Sequence, residues 1–204
     1  MKTFKRLACS VLALTMVLSL TACSSKSFNH KKMVKFSEDQ DYEMFDDVDD
    51  YSESFGEIII GNNPGDGAYM SATGKDAQEI YKYVFNRFDN FPSYDDEVTE
   101  ATSVIFYDDD DTFVQFYLLT FEDSKYAEKL FKKYSKIYED FDAEEGEEKE
   151  YSYCIYSTDI YGEDEYYGVY VKGNSFMYLQ TMNDADELAD EICKSYGIIS
   201  PTEA

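Results

Sequence analysis

The sequence predicts an α+β fold with a largely antiparallel sheet and helices packed on one face. Three stretches carry apolar residues at helical spacing, and short apolar runs of strand length separate them. Tight turns join two pairs of these runs, one turn at Asp108 to Asp111 and the other at Gly173-Asn174. Hairpins interrupted by amphipathic helices are typical of the α+β class.

The predicted elements follow one another in the order β-α-β-β-α-β-β-β-α. The run of Gly, Asn and Pro from Gly61 to Gly67 is predicted as a turn. Residues 112–121 are apolar on both faces, which favours a central position in the sheet. The nine predicted elements cover residues 57–60, 73–90, 103–107, 112–121, 123–140, 151–157, 166–171, 175–182 and 184–196.

Two segments of the chain resemble each other. Residues 116–137 align with residues 177–198 without a gap, a predicted hairpin precedes each, and Tyr-Leu, Thr, Asp, Lys and Ile recur in register. One interpretation is a duplicated hairpin-helix unit, with a pseudo-twofold axis and a binding groove between the copies. The other is that any strand followed by a capped helix produces such a pattern.

Composition limits the chemistry. The 204 residues include 43 acidic and 18 basic side chains, so the formal net charge is −25 and phosphate-rich nucleic acid is disfavoured as a partner. The only histidine, His30, precedes the predicted domain. Ser-His-Asp or Cys-His catalysis and a His-rich metal site are therefore not expected within the domain, and we predict no cofactor.

The N-terminus has the pattern of an export signal. Lys2, Lys5 and Arg6 precede an uncharged apolar run over residues 7–20, about fourteen residues long. A membrane-spanning helix needs about 20 residues, so this length is typical of a signal peptide instead. The run ends on Leu20-Thr21-Ala22-Cys23.

These residues resemble the lipobox of bacterial lipoproteins, in which Leu, a small or polar residue and Ala or Gly precede the Cys that becomes lipidated. The resemblance covers the first two dozen residues. It implies cleavage before Cys23 and a diacylglyceryl group with fatty acyl chains, such as palmitate, on its thiol. Two acyl chains anchor a protein stably, so the expected location is the extracytoplasmic face of the cell membrane.

We therefore divide the chain into three parts: residues 1–22 as signal peptide, 23–55 as a lipid-anchored flexible linker, and 56–204 as a single acidic α+β domain. The linker begins with lysines and becomes acidic. Its segment Asp47-Val48-Asp49-Asp50 begins like a calcium-binding EF-hand loop but lacks the glycine that such a loop requires.

Three groups of residues are candidates for a role. A cluster of tyrosines could stack on sugars or hold a peptide, although tyrosine also fills ordinary half-buried strands. Four aspartates at the first hairpin are weak metal candidates, and a solvated turn tip is the favoured interpretation. Two cysteines could form a disulfide or stay buried as free thiols. The residues are Tyr151, Tyr153, Tyr156, Tyr166, Tyr167 and Tyr170; Asp108, Asp109, Asp110 and Asp111; and Cys154 and Cys193.

The sequence thus favours a membrane-anchored, non-catalytic binding or accessory module for an envelope protein, peptide or glycan. No catalytic residue is predicted. The alternative is a surface hydrolase that uses two carboxylates, because such chemistry needs no histidine. A third interpretation is a structural or sensory subunit of an envelope complex.

Overall fold

A computed structural model of the chain describes residues 27–59, 66–85, 92–108, 112–160, 163–183 and 185–204. Within them, eight strands form one sheet in the order β1-β2-β3-β4-β8-β7-β6-β5, and only the β1–β2 pair is parallel. The strands are β1 (Glu43–Phe45), β2 (Asp66–Thr73), β3 (Val98–Tyr107), β4 (Phe113–Phe121), β5 (Glu144–Glu147), β6 (Ser152–Ile160), β7 (Glu163–Lys172) and β8 (Ser175–Met182).

Five α-helices and three short 3-10 helices accompany these strands in the described part of the chain. The α+β class and the largely antiparallel sheet are therefore confirmed. The helices are α1 (His30–Asp39), α2 (Val48–Ile59), α3 (Lys75–Phe85), α4 (Ser124–Tyr138) and α5 (Asp186–Tyr196), and the 3-10 helices are η1 (Asp95–Glu97), η2 (Glu139–Phe141) and η3 (Pro201–Glu203).

The helices cover both faces of the sheet, so the prediction that they pack on one face is wrong. Helices α2, α3 and α4 pack on what we call the first face, with Ile105 and Tyr117. Helices α1 and α5 pack on the second face, with Val104 and Phe116. Helical periodicity shows that one side of a helix is buried but does not say which side of the sheet buries it. Since strands β3, β4 and β8 are apolar on both faces, both faces need a cover.

The flexible linker predicted for residues 23–55 is wrong over residues 28–55. Helix α1 begins after Asn29, whose side chain caps it by accepting a hydrogen bond from the Lys31 N–H at 3.0 Å. Met33 and Phe36 are buried on the second face, and the Phe36 ring lies 5.6 Å from that of Phe116. Their i, i+3 spacing is a helical signal, but the lysines and acids around them made the segment resemble a linker. Residues 23–26 lie outside the described residues.

Several predicted boundaries also change. The strand predicted at residues 57–60 falls on the end of α2 up to Ile59, and residue 60 lies outside the described residues. The turn predicted at residues 61–67 lies outside the described residues up to residue 65, and Gly67 belongs to β2. The edge strand β5 lies between the helix predicted at residues 123–140 and the strand predicted at residues 151–157, where no element was predicted. The two hairpins and the central position of β4 are confirmed. Helix α5 ends at Gly197, which has a left-handed φ of 70°.

The predicted duplication fails for the helices. Tyr117 of β4 lies directly opposite Tyr178 of β8, and the gapless alignment equates the same two residues. A twofold axis perpendicular to the sheet would therefore relate the two strands. Such an axis would leave the following helices on one face, yet α4 packs on the first face and α5 on the second. The predicted twofold pair of hairpin-helix units, with a groove between them, is wrong.

Candidate functional site

The predicted tyrosine cluster is divided between the two faces of the sheet. Tyr156 and Tyr167 lie opposite each other on the first face. Tyr153 and Tyr170 are likewise opposite on the second face, where Tyr151 joins them with its ring 6.2 Å from that of Tyr153. Tyr166 lies across from Ser157. Because it is next to Tyr167 in the strand, it points to the opposite face from Tyr167. Tyr170 is fully buried, so the six rings do not form one surface.

On the first face, a hydrogen-bonded row links strands β7 and β8. The Tyr178 hydroxyl donates to Gln180 Oε1 at 2.8 Å, and Gln180 Nε2 donates to the Tyr167 hydroxyl at 3.2 Å. The Tyr167 hydroxyl donates in turn to Glu165 Oε2. We call Glu165, Tyr167, Tyr178 and Gln180 the tyrosine network. Burial raises the pKa of the Tyr167 and Tyr178 phenols, so both remain neutral donors at physiological pH.

An aromatic stack leads from this network to the surface. The Tyr156 ring is parallel to Tyr167 at a centroid distance of 4.6 Å and stacks on Phe141 at 5.4 Å. Phe141, in η2, is 55% exposed, and Ile137, one helical turn earlier, is 42% exposed. We call Ile137 and Phe141 the aromatic shelf. Large apolar side chains displayed together above an ordered stack are a suitable surface for an apolar or ring-shaped partner.

Glu165 is the only buried carboxylate among the residues whose burial is described, and it is 6% exposed. Glycoside hydrolysis of the common type needs two carboxyl groups, about 5–10 Å apart, that flank the substrate. The described part of the chain supplies one buried carboxylate, within hydrogen-bonding contact of a phenol. This geometry can hold a polar ligand group but does not form an acid-base pair.

A separate cleft of about 690 Å³ lies between α4 and the turn that joins β5 to β6. Its apolar floor includes Phe131 and Val171. The charged residues along its walls are Glu128, Lys132, Glu145, Glu147, Glu148, Lys149 and Glu150. Acidic side chains along the edge strand β5 repel a second copy of this acidic chain and so protect the sheet edge.

Aspartate side chains of the acidic runs accept hydrogen bonds from backbone N–H groups. The Asp47 side chain accepts hydrogen bonds from the N–H groups of Asp49 at 2.9 Å and Asp50 at 3.2 Å, which caps α2. Asp108 Oδ1 accepts from the Thr112 N–H at 3.0 Å across the first hairpin. The other three aspartates of that hairpin, Asp109 to Asp111, lie outside the described residues. Among those described, no three His, Cys, Asp or Glu residues are grouped to hold a metal ion.

The two cysteines cannot pair within this fold, so the candidate disulfide is wrong. Cys154 is buried on the first face and Cys193 on the second, with the sheet between them, and both are free. Burial raises the pKa of the Cys193 thiol to about 12 and raises that of Cys154. Both side chains act as small apolar residues with unreactive thiols.

His30 lies inside the fold, so its predicted position outside the folded domain is wrong. It is 4% exposed, its Nδ1 lies 2.8 Å from Thr102 Oγ1, and its Nε2 lies 2.9 Å from Thr120 Oγ1. A neutral imidazole offers one donor and one acceptor, and two hydroxyls satisfy both. Burial lowers the pKa of His30 to about 4. The carboxylate of Glu100, 3.8 Å from Nε2, is partly exposed and therefore screened.

Sequence reasoning missed Phe141, Glu165 and Gln180. An alternation signal for the last two was present, since each lies two residues from a first-face tyrosine on its own strand. Phe141 follows α4 in sequence, and only the fold shows that it stacks on a strand residue fifteen positions later.

Comparison with known proteins does not add a family. No protein-family model matches the chain, and the search of curated proteins found no significant match.

Proposed function

We propose that this protein is a lipid-anchored, non-catalytic binding module on the extracytoplasmic face of a bacterial cell membrane. Cys23 carries the lipid, and the aromatic shelf contacts an envelope protein, peptide or glycan. The observation that supports binding over hydrolysis is the exposed end of an ordered stack, Phe141 on Tyr156, beside Glu165, the one buried carboxylate among the residues whose burial is described. Among the described residues, none of the helices has the length and apolar character needed to cross a membrane.

The position of the shelf also supports this function. The Phe28 N–H donates to Ser175 Oγ at the start of β8, whereas Gln180 of the tyrosine network lies five residues further along the same strand. At about 3.3 Å per residue, the network is roughly 16 Å from the point where the chain enters the fold. With the anchor at one end of the sheet and the aromatic shelf toward the other end, the shelf stays accessible to a partner outside the membrane.

The anchor is tested by growing cells with an alkyne-tagged fatty acid and isolating the protein. We expect the label on the native chain and none on Cys23→Ala, which should also leave the membrane fraction. Label retained by Cys23→Ala would contradict lipidation at this residue.

Binding is tested by co-sedimentation with purified cell-wall sacculi, which present glycan strands and peptides together. Truncation of an interface anchor costs more than about 1 kcal/mol, so Phe141→Ala should weaken retention by about fivefold or more. Met44→Ala is the matched control, because Met44 is 63% exposed on the distant edge strand β1. Equal retention of the native chain and both variants would contradict a binding role for the shelf toward these polymers, and release of soluble sugar would contradict the non-catalytic assignment.

A further inference from the structure

The chain is fixed to the sheet at Phe28. Its N–H donates to Ser175 Oγ at 2.8 Å, and its ring is 5% exposed. The ring meets Tyr196 of α5 edge to face at a centroid distance of 5.6 Å. The Tyr196 hydroxyl donates to the Asn29 carbonyl at 2.8 Å. From Phe28 onward the polypeptide is therefore part of the folded domain and cannot act as a tether.

This position limits the distance between the domain and the lipid. Phe28 lies five positions after Cys23 in the sequence. A fully extended chain spans at most about 3.6 Å per residue, so Phe28 lies within about 18 Å of the Cys23 backbone. If Cys23 carries the lipid, as the proposed function requires, the protein surface around Phe28 must lie next to the lipid headgroups.

That surface carries four lysines. Lys31 and Lys32 are exposed in the first turn of α1, Lys194 is exposed in the last turn of α5, and Lys172 lies with its Nζ 6.0 Å from the Phe28 ring centroid. We call these four the lysine patch. Lys32 Nζ donates to the Ser195 carbonyl and lies 5.3 Å from the Tyr196 ring centroid, which links the two helices.

Four carboxylates border the patch. Glu150 pairs with Lys172 at 2.7 Å, and Glu100 lies next to His30 with Lys31 nearby. Asp190 and Glu191 are exposed one helical turn before Lys194 on α5. Four lysines against four carboxylates leave this surface close to neutral, whereas the whole chain has 43 acidic and 18 basic residues, so anionic lipids repel this surface less than they repel the rest of the domain.

We infer that the lysine patch docks the domain on anionic lipid headgroups of the membrane that holds Cys23. Lysines next to a lipid anchor are attracted to an anionic surface within about one Debye length. The remaining acidic surface is repelled from the same lipids, so the two effects orient the domain in the same direction. The aromatic shelf then points away from the bilayer.

The test is lysine footprinting of the acylated mature chain in vesicles of phosphatidylcholine, with and without phosphatidylglycerol. An amine-reactive acetylating reagent is applied, and each lysine is quantified by mass spectrometry. We expect Lys31 and Lys194 to react several-fold more slowly on the anionic vesicles. Lys129 and Lys136, exposed on α4 across the sheet, serve as internal controls and should not change.

Charge reversal provides the matched comparison. Lys31→Glu/Lys194→Glu should abolish the slower reaction of the remaining patch lysines, whereas Lys129→Glu/Lys136→Glu, with the same change in net charge, should preserve it. Sodium chloride at 1 M should also abolish it in the native chain, because the Debye length falls to about 3 Å. Equal reaction rates on both vesicle types, or equal effects of the two double variants, would overturn the inference.

The result does not depend on whether cells lipidate the chain. A maleimide lipid can be coupled to the thiol of Cys23 in the purified mature chain, because Cys154 and Cys193 are each only 1% exposed. A chain found unacylated in cells would contradict the proposed function, while the footprint of the coupled chain would still support or contradict docking by the lysine patch.

Discussion

At the scale of single residues, His30 shows how the fold uses a titratable group for structure. Its ring joins α1 to β3 and β4 through Thr102 and Thr120, and Ser71 extends this contact to β2 with its Oγ 2.8 Å from Thr102 Oγ1. Each of these four side chains can act as hydrogen-bond donor or acceptor, so their buried polar atoms are satisfied without a charge on His30. A charge on His30 would cost free energy because the ring is buried.

The stability of the protein should therefore depend on the protonation of His30. Its pKa is lowered from 6.5 to about 4 in the folded chain, so between these values the unfolded chain binds more protons. The contribution of neutral His30 is fully present above about pH 6.5 and is lost as the pH falls toward 4. The loss is on the order of 3 kcal/mol.

Urea unfolding at pH 7 and pH 4.5 checks this prediction. His30→Gln removes the titration while retaining a hydrogen-bonding side chain, and it shares all carboxylate effects with the native chain. We expect the native chain to lose about 2–3 kcal/mol more than His30→Gln between the two pH values. An equal loss in both proteins would show that His30 does not titrate with a lowered pKa.

At the scale of secondary-structure elements, α1 decides whether the second face of the sheet is covered. Met33 is fully buried, whereas Lys35 is exposed and pairs with Asp39 on the same helix. Met33→Ala should lower the free energy of unfolding by about 2–5 kcal/mol, as for other large-to-small changes in a core. Lys35→Ala should change it by less than about 0.5 kcal/mol. If chemical denaturation gave the same small change in the free energy of unfolding for both variants, α1 would not be part of the folded core.

Strand β7 contains a glycine, Gly168, next to which the buried Tyr170 hydroxyl leaves no room for a side chain. A methyl group at Gly168 would lie 2.7 Å from the hydroxyl of Tyr170, which is buried, so Gly168→Ala should destabilise the fold by about 1–3 kcal/mol. Gly56 in α2 is the matched control, because a methyl group there meets only the Tyr83 hydroxyl, at 4.0 Å. Gly56→Ala should stabilise the protein by up to about 1 kcal/mol through helix propensity. Thermal unfolding of both variants measures the opposite signs, and the same sign in both would contradict this account.

The elements that the sequence predicted well have strong local signals. Helix α4 shows apolar residues at helical spacing with lysines opposite, and the turn at Gly173-Asn174 fixes the β7–β8 hairpin. Helices α1 and α2 were missed because their few buried residues are separated by many charged ones. The face that each helix covers was also missed, because this depends on tertiary contacts.

The features of the candidate site also divide into those with a local sequence signal and those that depend on tertiary contacts. Alternation along β6 separates Tyr153 from Tyr156, and this was predictable from spacing alone. The contact of Phe141 with Tyr156 joins η2 to a strand across the edge of the sheet, and no local pattern encodes it. Residues that meet through the fold can be identified only when the order of the strands is known.

At the scale of the whole molecule, net charge acts on stability as well as on partners. A formal charge of −25 opposes compaction through self-repulsion, and added salt screens it. Raising sodium chloride from about 0.05 to 0.5 M should increase the free energy of unfolding by on the order of 1 kcal/mol. Urea unfolding at the two salt concentrations measures this change.

Two charge variants provide the control for this prediction. Lys129→Glu/Lys132→Glu adds negative charge on exposed positions of α4 and should increase the dependence on salt. Glu147→Lys/Glu148→Lys removes negative charge at the exposed β5–β6 turn and should reduce the dependence of stability on salt. Equal salt dependence of the two variants would show that net charge is not the cause.

The hydrogen bond between Phe28 and Ser175 also defines a mechanical path. If the chain is held at Cys23, any pull on the domain is transmitted through residues 23–27 to Phe28 and its hydrogen bond with Ser175, and then to α1. Helix α1 is held to the sheet by side-chain packing and the His30 contacts, whereas the strands are held to one another by ladders of backbone hydrogen bonds. Tension would therefore detach α1 first and expose Phe36 and Phe116, while the rest of the sheet still carried the load.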